Sequence, residues 1–419
     1  MKEQTYNFDE IIDRSDTHCV KHDLWKAALG WSDAEAANRP SHSFWHQAPP
    51  PRPYEDADTH VIPMWVADMD FRTPPCVLDA IERRAKHPVM GYAFPPQPYW
   101  RQVVWWMQRR YHIDPWQNEL HFIPGIVAGI AYAMQALLKP TDGVMVFTPV
   151  YPPFLSLTSG RHHCVPLIES DGRFAIDFDT MERLAPQCRM LLLSNPHNPG
   201  GRAWSPDELR HIADICHRHH IVVVSDEIHA DLMLPGSSHT PYATVSPEAQ
   251  RHSITFLAPS KTFNMAGLSS SIAYCHQSSP LQAPFMNYLE HWHVANPTVM
   301  AVDATIAAFS PEGEQWLNQL TRYLQGNIDL MKQHLAAHPV DATFYYPDAS
   351  FLVWMQCHHV SHSEARQRLL YDARLAFNDG NEFYDTADVD SHPARFRINI
   401  GCPRQVLQEA LDRLSKFLG

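Results

Sequence analysis

From about residue 74 the chain alternates short apolar runs with longer amphipathic stretches. "PPCVLDAIERRA" opens on proline and is amphipathic, which predicts a helix, because a first-turn N–H has no partner to lose. "PYWRQVVWWMQRRY" predicts a second helix, and "GIVAGIAYAMQALL" a third, apolar enough to be buried. "GVMVFTP" (143–149), "RMLLLSNP" (189–196) and "SITFLAPS" (253–260) read as strands. "IVVVSDE" (221–227) is the continuous β-branched run of a strand covered on both faces. Before it, "SPDELRHIADICHRH" carries a serine cap and an acidic first turn. Strands alternating with helices predict a mainly parallel sheet with helices on both sides.

The pattern changes after residue 300. A long helical region, "EGEQWLNQLTRYLQGNIDLMKQHLAAH", leads to "SFLVWMQC", then "FRINIGCP", then the helix "RQVLQEALDRLSKFL". This predicts a separate α+β unit. A chain of 419 residues also exceeds the usual size of one core. We therefore expect a segment 1–70 belonging to a small domain, a large domain over 71–300, and the rest of the small domain over 301–419. "HQAPPPRPYEDADTH" (46–60) is Pro-rich and charged and reads as a loop, within a stretch 35–60 that precedes "MWVADMDF".

Composition narrows the classes. The formal net charge of −13 argues against nucleic acid as the main partner, since phosphate binding needs a basic patch. The eight cysteines form no CxxC pair and no zinc-ligand spacing, and adjacent His162 and His163 suit no single metal, so we expect reduced thiols and no metal. The N-terminus has no apolar signal core, and the longest apolar run is too short to span a bilayer, so the expected location is the cytoplasm, with no membrane partner.

The polar residues of interest stand at the ends of the predicted strands, where α/β sheets collect ligands. They are Tyr151 after "FTPV", Asn195 and Asn198 in "SNPHNPGG", Asp226 and His229 in "SDEIH", and Ser260 and Lys261 in "APSKTFN". "PGIVAG" opens a helix whose free N–H groups suit a phosphate. Each has a plain structural reading: Asn-Pro and Pro-Gly pairs make turns, a strand-end aspartate caps a helix, and a lone lysine is exposed.

Together the ordered motifs N-P-x-N-P-G-G, D-E-x-H and S-K-x-F-N resemble the fold-type I pyridoxal-phosphate enzymes of the class I/II aminotransferase superfamily. Asp226 follows Asn198 by 28 residues and Lys261 follows Asp226 by 35. "MWVADMDF" (64–71), "MGY" (90–92), "SDEIH", "SKTFN" and "RINIGCP" (397–403) resemble the MalY/PatB branch, the cystathionine β-lyases or C–S lyases. The fold this implies is α/β: a large domain with a mainly parallel, seven-stranded sheet covered by helices, and a smaller α+β domain built from the C-terminal part and the N-terminal segment.

The resemblance implies pyridoxal 5'-phosphate as cofactor and assigns roles. Lys261 binds the cofactor aldehyde and is the catalytic base. Asp226 pairs with the ring nitrogen, which must stay protonated for the ring to accept electrons. Asn198 and His229 face the phenolate oxygen, and Tyr151 stacks on the ring. Ser260 and the amides of Ile126 and Val127 hold the phosphate. Tyr92 reaches the phosphate across a subunit interface, which implies a homodimer. Arg397 binds the substrate carboxylate, as a guanidinium can with two parallel hydrogen bonds. Arg395 is read as a surface residue and Asn195 as a turn residue. Two positions depart from the wider superfamily: Ser269, where many members carry an arginine that the MalY/PatB branch also lacks, and Ala258, where serine or threonine is common. The implied reaction is β-elimination of L-cystathionine or a related cysteine S-conjugate to a thiol, pyruvate and ammonia. Amino-acid transamination is the alternative, and an added regulatory protein contact is a third reading.

Overall fold

The structure is a computed structural model, and it describes residues 5–31, 61–385 and 393–419. The Pro-rich stretch 35–60 lies outside the described residues.

Two sheets organise the chain. The larger has seven strands in the order β2 (Leu120–Ile123), β10 (Ser271–Tyr274), β9 (Ser253–Leu257), β8 (Val222–Asp226), β7 (Cys188–Ser194), β3 (Gly143–Thr148) and β4 (His162–Pro166). Strands β4, β3, β7, β8 and β9 run parallel, and β10 is antiparallel to both its neighbours. The α/β fold with a mainly parallel sheet is therefore as the sequence indicated. Every residue of β3 and β9 is buried, which is why these strands read as unbroken apolar runs. The helices Ile126–Leu137 and Gln282–Trp292 pack on one face over Val146, Leu192, Val224 and Phe256, while Pro206–Arg218 packs on the other over Leu191 and Val223. That last helix starts on a reciprocal cap: Ser205 Oγ accepts from Glu208 N at 3.2 Å, and Glu208 Oε2 accepts from Ser205 N at 2.7 Å.

The second sheet has five strands in the order β1 (Ile62–Met64), β13 (Leu375–Asp379), β14 (Arg395–Asn399), β12 (Leu352–Cys357) and β11 (Ala342–Tyr345). Here β1 pairs parallel with β13, Ile62 opposite Leu375, so the N-terminal segment is joined to the C-terminal part by a ladder. A hairpin of β5 (Ile168–Ser170) and β6 (Arg173–Ala175) stands beside the large sheet's β4 edge in sequence.

Register places the candidate residues. Ser194 on β7 is opposite Asp226 on β8, and Asp226 is opposite Phe256 on β9. The carboxyl ends of three parallel strands are thus level, and the chain leaves them into Asn195–Asn198, Glu227–His229 and Pro259–Lys261. Arg397, central in β14, is opposite Trp354 on one side and Asn378 on the other.

Candidate active site

Lys261 sits in a single helical turn, Pro259–Thr262, that begins two residues after β9 ends. A proline at the first position lets that turn start sharply. The ammonium is half-buried, and Nζ donates to the Ala67 carbonyl at 2.6 Å. Burial pulls its pKa down to about 8, and Arg397 adds to this, while Asp68 and Asp226 oppose it. "APSKTFNMAGL" carries no acid of its own, yet the fold brings two carboxylates within electrostatic reach.

Asp226 is buried, and Oδ1 accepts from Ile228 N at 3.1 Å. Burial raises its carboxyl to about 7; Glu227 adds to the rise, and the Ile228 amide and Lys261 work against it. No ion pair to Asp226 occurs among the described residues. His229 is buried with no partner for Nδ1, and burial, Lys261 and Arg397 lower its pKa to about 3, so it is a neutral imidazole. Tyr151 caps the helix Pro152–Leu157 and is raised mainly by burial, with Asp226 raising and Arg397 lowering it, which puts all three in one field.

Arg397 is buried, and every hydrogen-bond partner is a neutral oxygen. Nη1 donates to Asn198 Oδ1 at 3.0 Å, and Nη2 donates to Asn378 Oδ1 at 2.7 Å and to the Trp65 carbonyl at 3.0 Å. Nε has no partner, and the guanidinium stands 5.0 Å from the Phe383 ring centroid. Burial lowers its pKa to about 10. Such a cation, held open by neutral acceptors, is suited to an incoming carboxylate.

Ile126 and Val127 form the first turn of a 12-residue helix, after Gly125. A side chain at Gly125 would meet nothing within 4 Å, so the space before these amides is open. Ser260 is half-buried beside Lys261, and Ala258 is buried at the start of the same turn. Ser269 is exposed, with φ of 51°. Tyr92 is fully exposed and touches none of these groups, so within one chain it stands apart.

One reading needs correction. Arg395 is not a surface residue: it is buried and paired with Glu169 at 3.0 Å, because β14 is covered along its length. Asn195 lies in the bend that follows β7, buried, with Nδ2 donating to the Thr240 carbonyl at 2.9 Å.

Residues not singled out in the sequence complete the site. Asn378 orients Arg397. Asn264 donates to the carbonyls of Met69 and Phe71 at 2.9 and 2.7 Å and accepts from Met69 N at 3.0 Å. Asn399 donates to the carbonyls of Val66 and Asp68, both at 2.6 Å. The two asparagines clamp the "VADMDF" loop against Lys261. Their signal was present in the motifs themselves: Asn264 follows the lysine by three in "SKTFN", and its φ of 53° suits asparagine.

The donor set fits pyridoxal phosphate. An open helix start meets a phosphate, a buried acid with a raised pKa meets a cationic ring nitrogen, and a lysine lowered toward neutrality meets an aldehyde.

Residues 59–414 match the family model for class I and II aminotransferases. Cystathionine beta-lyase PatB of Bacillus subtilis is 37% identical over 98% of this chain and 100% of its own length. Among solved structures, cystalysin from Treponema denticola, which contains a pyridoxal 5'-phosphate cofactor, superposes with a TM-score of 0.86 at 28% identity, covering 99% of each chain. The PLP-bound C-S lyase from Staphylococcus hominis superposes with a TM-score of 0.84 at 29% identity, covering 99% of this chain and 98% of its own.

Proposed function

The chain belongs to the class I and II aminotransferase family, and on that footing we propose that it is a pyridoxal-phosphate-dependent carbon–sulfur β-lyase acting on L-cystathionine or related cysteine S-conjugates. The observation that carries the lyase reading over transamination is the full-length likeness to a cystathionine beta-lyase. The unpaired Arg397 beside Lys261 and Asp226 supports an amino acid as substrate.

Bound pyridoxal phosphate supplies an electron sink for charge that develops at the substrate α-carbon. Lys261 would hold the cofactor aldehyde, and its Nζ would take the substrate α-proton. A pKa of about 8 lets it do both near neutral pH. Asp226 would keep a proton on the ring nitrogen. Asn198 and His229 would serve the phenolate oxygen, Tyr151 would cover the ring, and Ser260 with the Ile126 and Val127 amides would hold the phosphate. Arg397 fixes the substrate carboxylate, and the β-sulfur leaves as a thiolate once the α-proton is on Nζ. The remaining three-carbon fragment hydrolyses to pyruvate and ammonia.

The same reading extends to assembly and setting. Val89, Met90, Tyr92 and Phe94 are all exposed within six residues, which supports a homodimer in which Tyr92 of a second copy completes the phosphate site. The division into 1–70, 71–300 and 301–419 is kept, with β1 pairing β13 in its support. A cytoplasmic place in sulfur amino-acid metabolism, on the methionine side, fits the substrate class.

The test is direct. Holoenzyme incubated with L-cystathionine and no 2-oxo acid is expected to release pyruvate and a free thiol. Turnover only when a 2-oxo acid is added would replace this reading with transamination.

A further inference from the structure

Arg395 and Arg397 lie two residues apart on β14 and point to the same face. Their guanidinium groups stand over neighbouring rings, Arg395 over Tyr384 at 4.9 Å and Arg397 over Phe383 at 5.0 Å. One carboxylate distinguishes them. Glu169, on the β5 hairpin strand, accepts from Arg395 Nη2 and Tyr384 Oη at 3.0 Å each through Oε1, and from Tyr345 Oη at 3.0 Å through Oε2.

The turn that carries these rings is tied down residue by residue. The Phe383 carbonyl accepts from Val150 N at 2.9 Å. Tyr384 donates to Glu169. Asp385 Oδ2 lies 2.7 Å from His162 Nε2. Val150, His162 and Glu169 all belong to the β3–β4–β5 stretch of the chain, whereas the turn lies between β13 and β14. The turn in its own right supports the carboxylate-binding arginine: Phe383 underlies it, and Glu382 Oε2 accepts from Asn378 Nδ2 at 2.9 Å, while Asn378 Oδ1 receives Arg397.

We propose that Phe383–Asp385 is a clasp that fixes Arg397 for amino-acid binding, and that Glu169 is its principal positioning residue. Glu169 neutralises the second arginine and anchors the ring beside Phe383, so Arg397 alone is left to a substrate carboxylate, in one place. The proposal rests on the reading of Arg397 as the carboxylate-binding residue.

Sign separates positioning from bulk charge. Removing an acid near a cationic site strengthens attraction of a carboxylate, so a purely electrostatic Glu169 predicts tighter binding in Glu169→Ala. The clasp predicts the opposite. Holoenzyme is titrated with L-alanine, which has no β-leaving group, and binding is read from the change in cofactor absorbance. Glu169→Ala is expected to raise Kd about tenfold, the equivalent of about 1.4 kcal/mol, with the cofactor band before titration unchanged. Glu169→Gln, which keeps one acceptor oxygen, enough for Tyr384 or Tyr345 but not both, is expected to lie between the two. With a turned-over substrate, the loss is expected in KM rather than kcat. A Kd in Glu169→Ala within twofold of wild type, or tighter, overturns the clasp, even with a lowered melting temperature. Absence of any absorbance change in the wild type overturns both the amino-acid reading and the clasp.

Discussion

Two charge clusters meet at the "VADMDF" loop, and they are built on opposite terms. In the first, Arg14, Lys21 and His22 surround Asp68 and Asp70. Lys21 Nζ lies 2.7 Å from Asp70 Oδ2, Arg14 lies 2.8 Å from each acid, and His22 Nε2 lies 3.1 Å from Asp70 Oδ1. Burial by itself raises the Asp70 carboxyl, but Lys21, His22 and Arg14 together hold it far below its usual range. In the second, Lys261, Asp226, His229 and Arg397 share one field without a single ion pair among the described residues, and each is displaced toward its neutral form. The first cluster spends its charges on each other and fixes the loop. The second keeps its charges open, as a site for a charged ligand requires.

Substitutions should separate the two. The largest effect is expected for Lys261→Ala: loss of the cofactor absorbance near ~420 nm and a fall in lyase turnover of at least about a thousandfold. Retention of both would remove Lys261 from the chemistry. Next is Asp70→Asn, which leaves Lys21, a side chain with no exposed surface, only the longer contacts with Asp68, at 3.3 Å to its carbonyl and 3.9 Å to Oδ1. It is expected to destabilise the fold by about 3 kcal/mol, read from a urea midpoint. An unchanged midpoint would place this cluster among ion pairs of no structural consequence. Arg397→Lys is expected to raise KM for the amino acid about tenfold with kcat little changed, because an ammonium cannot reproduce the paired hydrogen bonds. Equal losses in both constants would argue that Arg397 acts in the reaction step instead.

Much of this was legible in the sequence, and the reasons differ by element. Strands β3, β7, β8 and β9 are buried on both faces, so their apolar runs are continuous and their carboxyl ends carry the polar motifs. Lys261, Asp226 and Asn198 each lie in a local motif at such an end, so the sequence alone singles them out. The strands β2 and β10 escaped notice because "LHFI" and "SIAY" are too short for a period to show. The edge strand β4, "HHCVP", opens on two histidines and so lacks an apolar run. Long-range partners left no local trace: Glu169 is 226 residues from Arg395, and Asn378 meets Arg397 only because β13 and β14 pair. Arg395 looked like a surface residue because its carboxylate lies in another part of the chain.

Asp226 is the central group of the site, a buried acid suited to a cationic partner. Its folded pKa of about 7 lies above its ordinary 3.8, so the folded protein holds this proton longer than the unfolded chain. In cofactor-free protein, stability from this group is therefore full below about pH 3.8, falls as pH rises toward 7, and stays low above that. Asp226→Asn removes the charge. Melting curves of cofactor-free wild type and variant should coincide at pH 3.5 and separate at pH 8, with the variant more stable by about 4 kcal/mol, while the variant binds pyridoxal phosphate more weakly. A variant that is less stable at both pH values, or that binds the cofactor as tightly as wild type, would contradict the account.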